Sequence, residues 1–211
     1  MNPHFLPVTL QEARTRGWAP IDFVLISGDA YVDHPSFGAA VIGRWLEANG
    51  FSVGIIPQPD WTDPHAFDVF GTPRLAFLVT AGNMDSMVNH YTVNKKRRRQ
   101  DAYSPGGAIN KRPDRAATVY SRKLKKQYPH TPVILGGIEA SLRRMAHYDY
   151  WEDRMKPSIL MDTKADLLVY GMGERAMVEI AEALDSGLPA ASLTFIRGTV
   201  FYTRDLDVID Q

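Results

Sequence analysis

The sequence predicts an α/β protein built on a doubly wound, mostly parallel sheet. Three observations lead there. Five short apolar runs recur along the chain, each ending in glycine or small polar residues. Amphipathic helical patterns separate several of them. Each run is near-continuous in its apolar character rather than alternating, which suits strands covered on both faces.

The runs are FVLISGD (23–29), FSVGIIPQP (51–59), LAFLVTAGN (75–83), PVILGGIEA (132–140) and DLLVYGMGE (166–174). A sixth, TFIRGTVFYT (194–203), has an Arg197-Gly198-Thr199 centre that suits a turn between two short strands. The first helix takes Phe37, Val41 and Trp45, with Ile42 and Leu46, as its apolar stripe. Pro35 is its expected first residue and Gly50 its stop. A second helix over Arg115–Tyr128 places Ala117, Tyr120, Leu124 and Tyr128 on one face. A third over Glu174–Leu184 places Met177, Ile180, Ala181 and Leu184 together and ends at Gly187 and Pro189. Strand–helix alternation implies right-handed crossovers. The whole of 1–211 reads as one domain with a core from about 20 to 190.

Composition removes several classes. Hydrophobic residues make up 45% and charged residues 23% of 211, an ordinary globular balance. No run of eighteen apolar residues marks a membrane span, and the N-terminus lacks a secretory pattern, so the expected location is the cytoplasm. With no cysteine, the chain cannot hold a thiolate metal site, a cysteine nucleophile or an iron–sulfur cluster. The six histidines show no HxH or HExxH spacing, so no metal site is expected. There is no G-x-S-x-G elbow and no phosphate-loop motif. No catalytic residue is assigned.

Open parallel sheets bind ligands beyond the carboxyl ends of their strands. Those ends carry the candidate cofactor- or substrate-facing residues: Asp29, Asp33, Ser36, Gly38, Asn83, Asp85, Gly136, Gly137, Glu139, Ser141, Gly171, Gly173 and Glu174. Tight turns and helix caps use the same residue types. Residues 33–38, DHPSFG, sit where a cobalamin-binding domain carries Asp-x-His-x-x-Gly. The cobalt-ligating third position is Pro35, with His34 one residue early.

Net charge is zero but unevenly spread. Residues 94–126 hold twelve Lys and Arg against two Asp, a local +10. Within them Lys95, Lys96, Arg97, Arg98 and Arg99 form a run able to contact a polyanion or another domain, with Tyr91 and Tyr103 nearby for stacking. A solvated loop is the plain alternative. The segment from about Asn89 to Arg112 is expected to be mobile, because little apolar surface anchors it. The aromatic, charged stretch HYDYWEDRMKPS (147–158) suits an interface, a substrate lip or a cover for the sheet edge.

Five long segments together carry a family resemblance: ISGDAYVDHPSFGAAVIGRWLE, TAGNMDSMVNHYTVNKKRRRQDAYSPGG, KRPDRAATVYS, ILGGIEASLRRMAHYDYW and ADLLVYGMGE. They resemble the N-terminal domain of the YgiQ family of radical SAM proteins, over nearly the whole chain. The resemblance implies a flavodoxin-like, cobalamin-binding-like architecture. It further implies a longer parent, whose C-terminal barrel holds a 4Fe–4S cluster on CxxxCxxC and binds S-adenosylmethionine. No such motif stands in this sequence. The chain is therefore expected to be an accessory domain, not catalytic alone, that positions a substrate or docks on its own C-terminal radical SAM domain. No cofactor is expected within it. The alternatives are a cobalamin carrier, or a nucleic-acid or protein docking module acting through the basic segment 95–126.

Overall fold

The computed structural model describes residues 5–205 and Asp207. Five parallel strands form the centre of one sheet: β1 (Phe23–Ser27), β2 (Val53–Pro57), β3 (Ala76–Thr80), β4 (Val133–Leu135) and β7 (Leu167–Val169). Two further strands, β5 (His147–Asp149) and β6 (Arg154–Lys156), pair apart as an antiparallel hairpin. The last strand, β8 (Thr199–Val200), joins the large sheet antiparallel to β7. The order is β2-β1-β3-β4-β7-β8.

Alternation along each strand builds two cores. Val24 and Ile26 of β1 face one side with Phe77, Val79, Val133 and Leu135. That side is covered by α4 (Ala116–Gln127) through Ala117, Tyr120 and Leu124, and by α6 (Ile159–Thr163) through Ile159 and Leu160. Phe23 and Leu25 face the other side with Val53, Ile55, Leu78, Ile134 and Val169. There Leu46 of α2 (Gly38–Ala48) and Met177, Ile180, Ala181 and Leu184 of α7 (Glu174–Asp185) close the layer. The central strands are buried on both faces, which is why their runs lack a polar alternation.

Three short helices complete the fold: α1 (Leu10–Thr15), α3 (Ser86–His90) and α5 (Gly137–Leu142). A Thr9–Glu12 capping box starts α1. Burial runs from Leu6 to Ile196, beyond the expected 20–190 core. The first long helix begins at Gly38, not Pro35: residues 34–37 form a turn in which His34 Nδ1 accepts from the Ser36 N–H at 3.1 Å. Gly50, at φ +90°, does end it. The 194–203 run yields one strand rather than two; Gly198 turns the chain into β8.

Chain connections depart in opposite directions from β1 and β3: β1 leads outward to β2, and β3 leads the other way to β4. A crevice opens beyond the carboxyl ends at such a reversal.

Candidate functional site

A cavity of about 390 Å³ occupies that crevice, on the α2–α7 side. Its floor reaches between the two helices and the sheet to Leu25, Leu78, Ile134 and Val169, with Ile42 and Met177 as walls. Its rim carries Asp29, Ser36, Gly38, Asn83, Gly136, Gly137, Gly171, Gly173 and Glu174. Nine of the thirteen residues named from the sequence therefore meet around one opening.

The rim is built by contacts that fix its loops to each other. Asn83, just past β3, donates from Nδ2 to the Ser36 carbonyl at 2.9 Å and accepts from the Gly38 N–H at 3.3 Å. This ties the β3 end to the start of α2. The Asn83 N–H in turn donates to Asp29 Oδ2 at 2.7 Å. Gly137 stands at φ +79°, and a Cβ there would come within 2.4 Å of Thr80 Oγ1. That position needs glycine both for its backbone and for its close approach.

Asp29 is almost fully buried and meets the Arg112 guanidinium at 2.9 Å. Arg112, also buried, donates to both oxygens of Asp101 at 3.1 Å each and to the Ala81 carbonyl at 2.9 Å. Burial pushes the Asp29 carboxyl above its ordinary value, outweighing the pull of Arg112. Burial acts the same way on Asp101, but the Tyr103 N–H and Arg112 together hold that carboxyl below its ordinary value. The segment after the basic run is thereby clamped to the sheet edge. The Ala30 N–H adds a 2.9 Å bond to the Tyr103 carbonyl, and Gln58 Nε2 bridges Gly28 and Ser104. A polar clamp thus supplies the anchoring that the scarcity of apolar residues left unexpected.

Four residues named from the sequence lie outside the cavity. Asp33 pairs with Arg44 of α2 and is held below the ordinary carboxylate range by it. Asp85 caps α3, accepting from the Met87 and Val88 N–H groups, and pairs with Arg143. Glu139 is fully buried beneath α4, where it accepts from Ser86 N, Ser86 Oγ and Ala117 N at 2.8, 2.5 and 2.9 Å. Its burial, and then the nearby Asp85, raise its carboxyl. Ser141 Oγ accepts from the Gly171 N–H at 3.4 Å. These carboxylates serve as internal caps and ties, a role that sequence position alone does not separate from ligand contact.

Sequence reasoning missed the buried pairing of Arg112. Its position in a basic, loop-like stretch disguised it, although the Asp101-to-Arg112 spacing around Gly106-Gly107 suited a folded turn.

Residues 5–210 match the family model described as Radical SAM N-terminal. The chain belongs to that family. It is 59% identical over 201 residues to a UPF0313 protein of Pseudomonas aeruginosa, covering 95% of this chain and 27% of that protein. A Geobacter sulfurreducens UPF0313 protein is 56% identical over 195 residues, covering 92% of this chain and 32% of the relative. These relatives identify it as the N-terminal domain of the YgiQ/UPF0313 radical SAM family; the chain spans between a quarter and a third of their length.

Among solved structures, the fold is similar to TsrM of Kitasatospora setae, a radical S-adenosylmethionine methyltransferase. One TsrM structure, with tryptophan substrate and an S-adenosylmethionine analogue, aligns at TM-score 0.56 and 20% identity, covering 86% of this chain and 28% of that one. Another, with cobalamin and a [4Fe-4S] cluster, aligns at TM-score 0.53, with 86% and 29% covered. This likeness concerns the fold. It agrees with a mostly parallel, cobalamin-binding-like sheet.

The residues present fit one part of such chemistry and not another. With no cysteine in the chain, nothing here can ligate an iron–sulfur cluster. Among the described residues no group of three or more His, Asp or Glu is placed to hold a metal ion. His34 is exposed and bonded within its own turn, and among the described residues no histidine lines the cavity. The cavity, by contrast, has apolar walls, with Leu25, Leu78, Ile134 and Val169 at its floor. No helix among the described residues is long and apolar enough to cross a membrane.

Proposed function

We propose that this chain is the accessory domain of a radical SAM enzyme, and that its carboxyl-edge cavity holds part of the substrate against a reacting centre in the rest of the protein. The observation that carries the reading is the cavity itself: an apolar slot with a polar rim of Ser36, Asn83 and Glu174, at the switch point of a sheet in a radical SAM N-terminal family member. A radical SAM centre needs cysteines for its 4Fe–4S cluster, so the cluster and S-adenosylmethionine belong to the portion of the relatives' length outside this chain. The role of this domain is then to bind, orient and exclude water. Apolar walls supply burial, while the rim fixes one polar end of the substrate.

The contact with that remaining portion would form at the cavity mouth. Met172 lines the cavity and is 87% exposed; Ile138, also lining it, and Leu142 and Met145 beyond it are exposed as well. Such an exposed apolar patch beside the polar rim suits a protein neighbour. A photo-crosslinking residue at Met172 of the full-length protein should join this domain to the C-terminal portion. The same probe at Asn49, beyond the opposite end of α2, should not. Crosslinking from Asn49 alone would refute the orientation.

A second reading, a cobalamin carrier, is favoured by one observation. The slot between α2, α7 and the sheet is lined by Gly136 and Gly137 on a fold shared with a cobalamin-bound TsrM structure. Any cobalamin held here would lack a histidine from DHPSFG on its cobalt. The visible spectrum of the full-length protein after incubation with cobalamin and desalting decides it: retained corrinoid absorbance supports the carrier, and none removes it.

A further inference from the structure

We infer that the basic run is a preformed nucleic-acid contact, binding the phosphate backbone of single-stranded RNA. The inference goes beyond the accessory role above and stands on separate residues. Chain geometry comes first. Residues 91–98 form a tight antiparallel turn, not a loose loop: Tyr91 bridges Arg97, the Thr92 N–H donates to the Lys96 carbonyl at 2.9 Å, and the Arg98 N–H to the His90 carbonyl at 2.7 Å. Lys95 sits at φ +57° at its tip. The turn is fastened to the β5–β6 hairpin, with Lys95 Nζ 4.8 Å from the Tyr150 ring centre and 5.5 Å from that of Trp151, and Tyr91 4.5 Å from Trp151.

This fastening uses Lys95, and the Arg97 guanidinium donates to Tyr91 Oη at 3.2 Å and to Asn110 Oδ1. Lys96, Arg97, Arg98 and Arg99 are all exposed. Arg97 leans over the Tyr91 ring, and Arg98 Nε donates to the Val88 carbonyl at 3.3 Å. Among the described residues, no carboxylate lies within ion-pair distance of any of the five, although carboxylates pair with Arg112 and Arg115 further along the same segment. Arg112 and Arg115 have carboxylate partners and these five do not. Holding like charges together costs free energy that a polyanion would return.

The charge pattern favours phosphate over an acidic protein surface. Lysine and arginine dominate contacts to nucleic-acid backbone, and adjacent cations match a repeating line of phosphates. Half-exposed Tyr150, 52% accessible beside the turn, offers a ring face of the kind on which unpaired bases stack.

The test is fluorescence anisotropy of labelled oligouridine with the full-length protein across a salt series. Binding should weaken with salt. In the K96Q/R98Q/R99Q variant the slope of log affinity against log salt should shrink by about two, at roughly 0.7 per lost phosphate contact on a single strand. A circular-dichroism spectrum matching the parent confirms folding; if the triple variant misfolds, K96Q and R99Q singly should each reduce the slope by about 0.7. Absence of binding at low salt, or a slope these changes leave untouched, overturns the inference. Polyglutamate binding as tightly as RNA would also overturn it, in favour of an acidic protein partner.

Discussion

Arg112 and Asp29 meet at 2.9 Å where neither side chain reaches water: their side chains are 0% and 3% exposed. One comes from the end of β1 and the other from the far side of the basic segment, so a single ion cluster sets where that segment returns to the sheet. Asp101 shares the same guanidinium at 3.1 Å. Two carboxylates share one guanidinium; burial first, and the nearby Asp101 last, raise the Asp29 carboxyl.

Arg112→Met should destabilise the protein by about 3–5 kcal/mol, because it leaves buried carboxylates without their partner. Arg112→Lys should recover little, since one ammonium cannot serve Asp29, Asp101 and the Ala81 carbonyl together. Urea unfolding of the three proteins measures both. A loss below about 1 kcal/mol in the methionine variant would show that the cluster is dispensable.

Two glycines separate strain from collision. Gly50 and Gly137 both have positive φ, but a Cβ at Gly50 meets nothing within 4 Å while one at Gly137 strikes Thr80 Oγ1. Gly50→Ala should therefore cost about 1 kcal/mol, the left-handed backbone penalty alone. Gly137→Ala should cost clearly more and should perturb the cavity rim. Equal losses in thermal melts would contradict the close approach.

The chain's course was legible where apolar runs were long. β1, β2, β3 and the two twelve-residue helices α4 and α7 follow from unbroken hydrophobic stretches and helical stripes. The strand order is not written in the periodicity, which shows that a strand forms but not which neighbour it pairs with. The short elements were not legible: α5 and α6 span six and five residues, too few turns to show a stripe, and the β5–β6 hairpin lay hidden in a stretch whose polar residues serve its turn. The cavity was legible as a set of strand ends, since position after a parallel strand determines which edge a residue reaches. Asp85 and Glu139 share that edge but turn inward as caps, and only packing distinguishes them from Ser36 and Asn83.

Acid should act on the β5–β6 hairpin through Asp149. Burial alone would raise its carboxyl, but the Glu152 N–H and Arg115, with Lys156 beyond, bring it down to about 2. A depressed carboxylate contributes stability above its unfolded value of about 3.9, and that contribution disappears as pH falls from there through about 2. Asp29 and Glu139 are shifted upward and act with the opposite sign: each opposes folding most above its folded value, and the opposition fades as pH falls. Asp149→Asn should therefore flatten the acid limb of stability between about pH 4 and 2, while Glu139→Gln should not. Chemical denaturation at stepped pH distinguishes them.

Hydrogen exchange should divide the basic segment unevenly. The Thr92, Arg98, Asp101 and Ser104 amides donate to backbone carbonyls and should be protected, while Asn94 at the exposed turn should exchange fast. Uniform fast exchange across 91–107 would mean that the Arg112 clamp does not hold the segment in solution.

The central claim is that the carboxyl edge faces the reacting centre. The most direct measurement is the paramagnetic relaxation that a reduced 4Fe–4S cluster in the full-length protein imposes on a spin label at Met172→Cys, against one at Asn49→Cys. The five-residue strands place the two edges about 17 Å apart. The account predicts strong enhancement at position 172 and much weaker enhancement at 49. Equal effects, or the stronger one at 49, would contradict it.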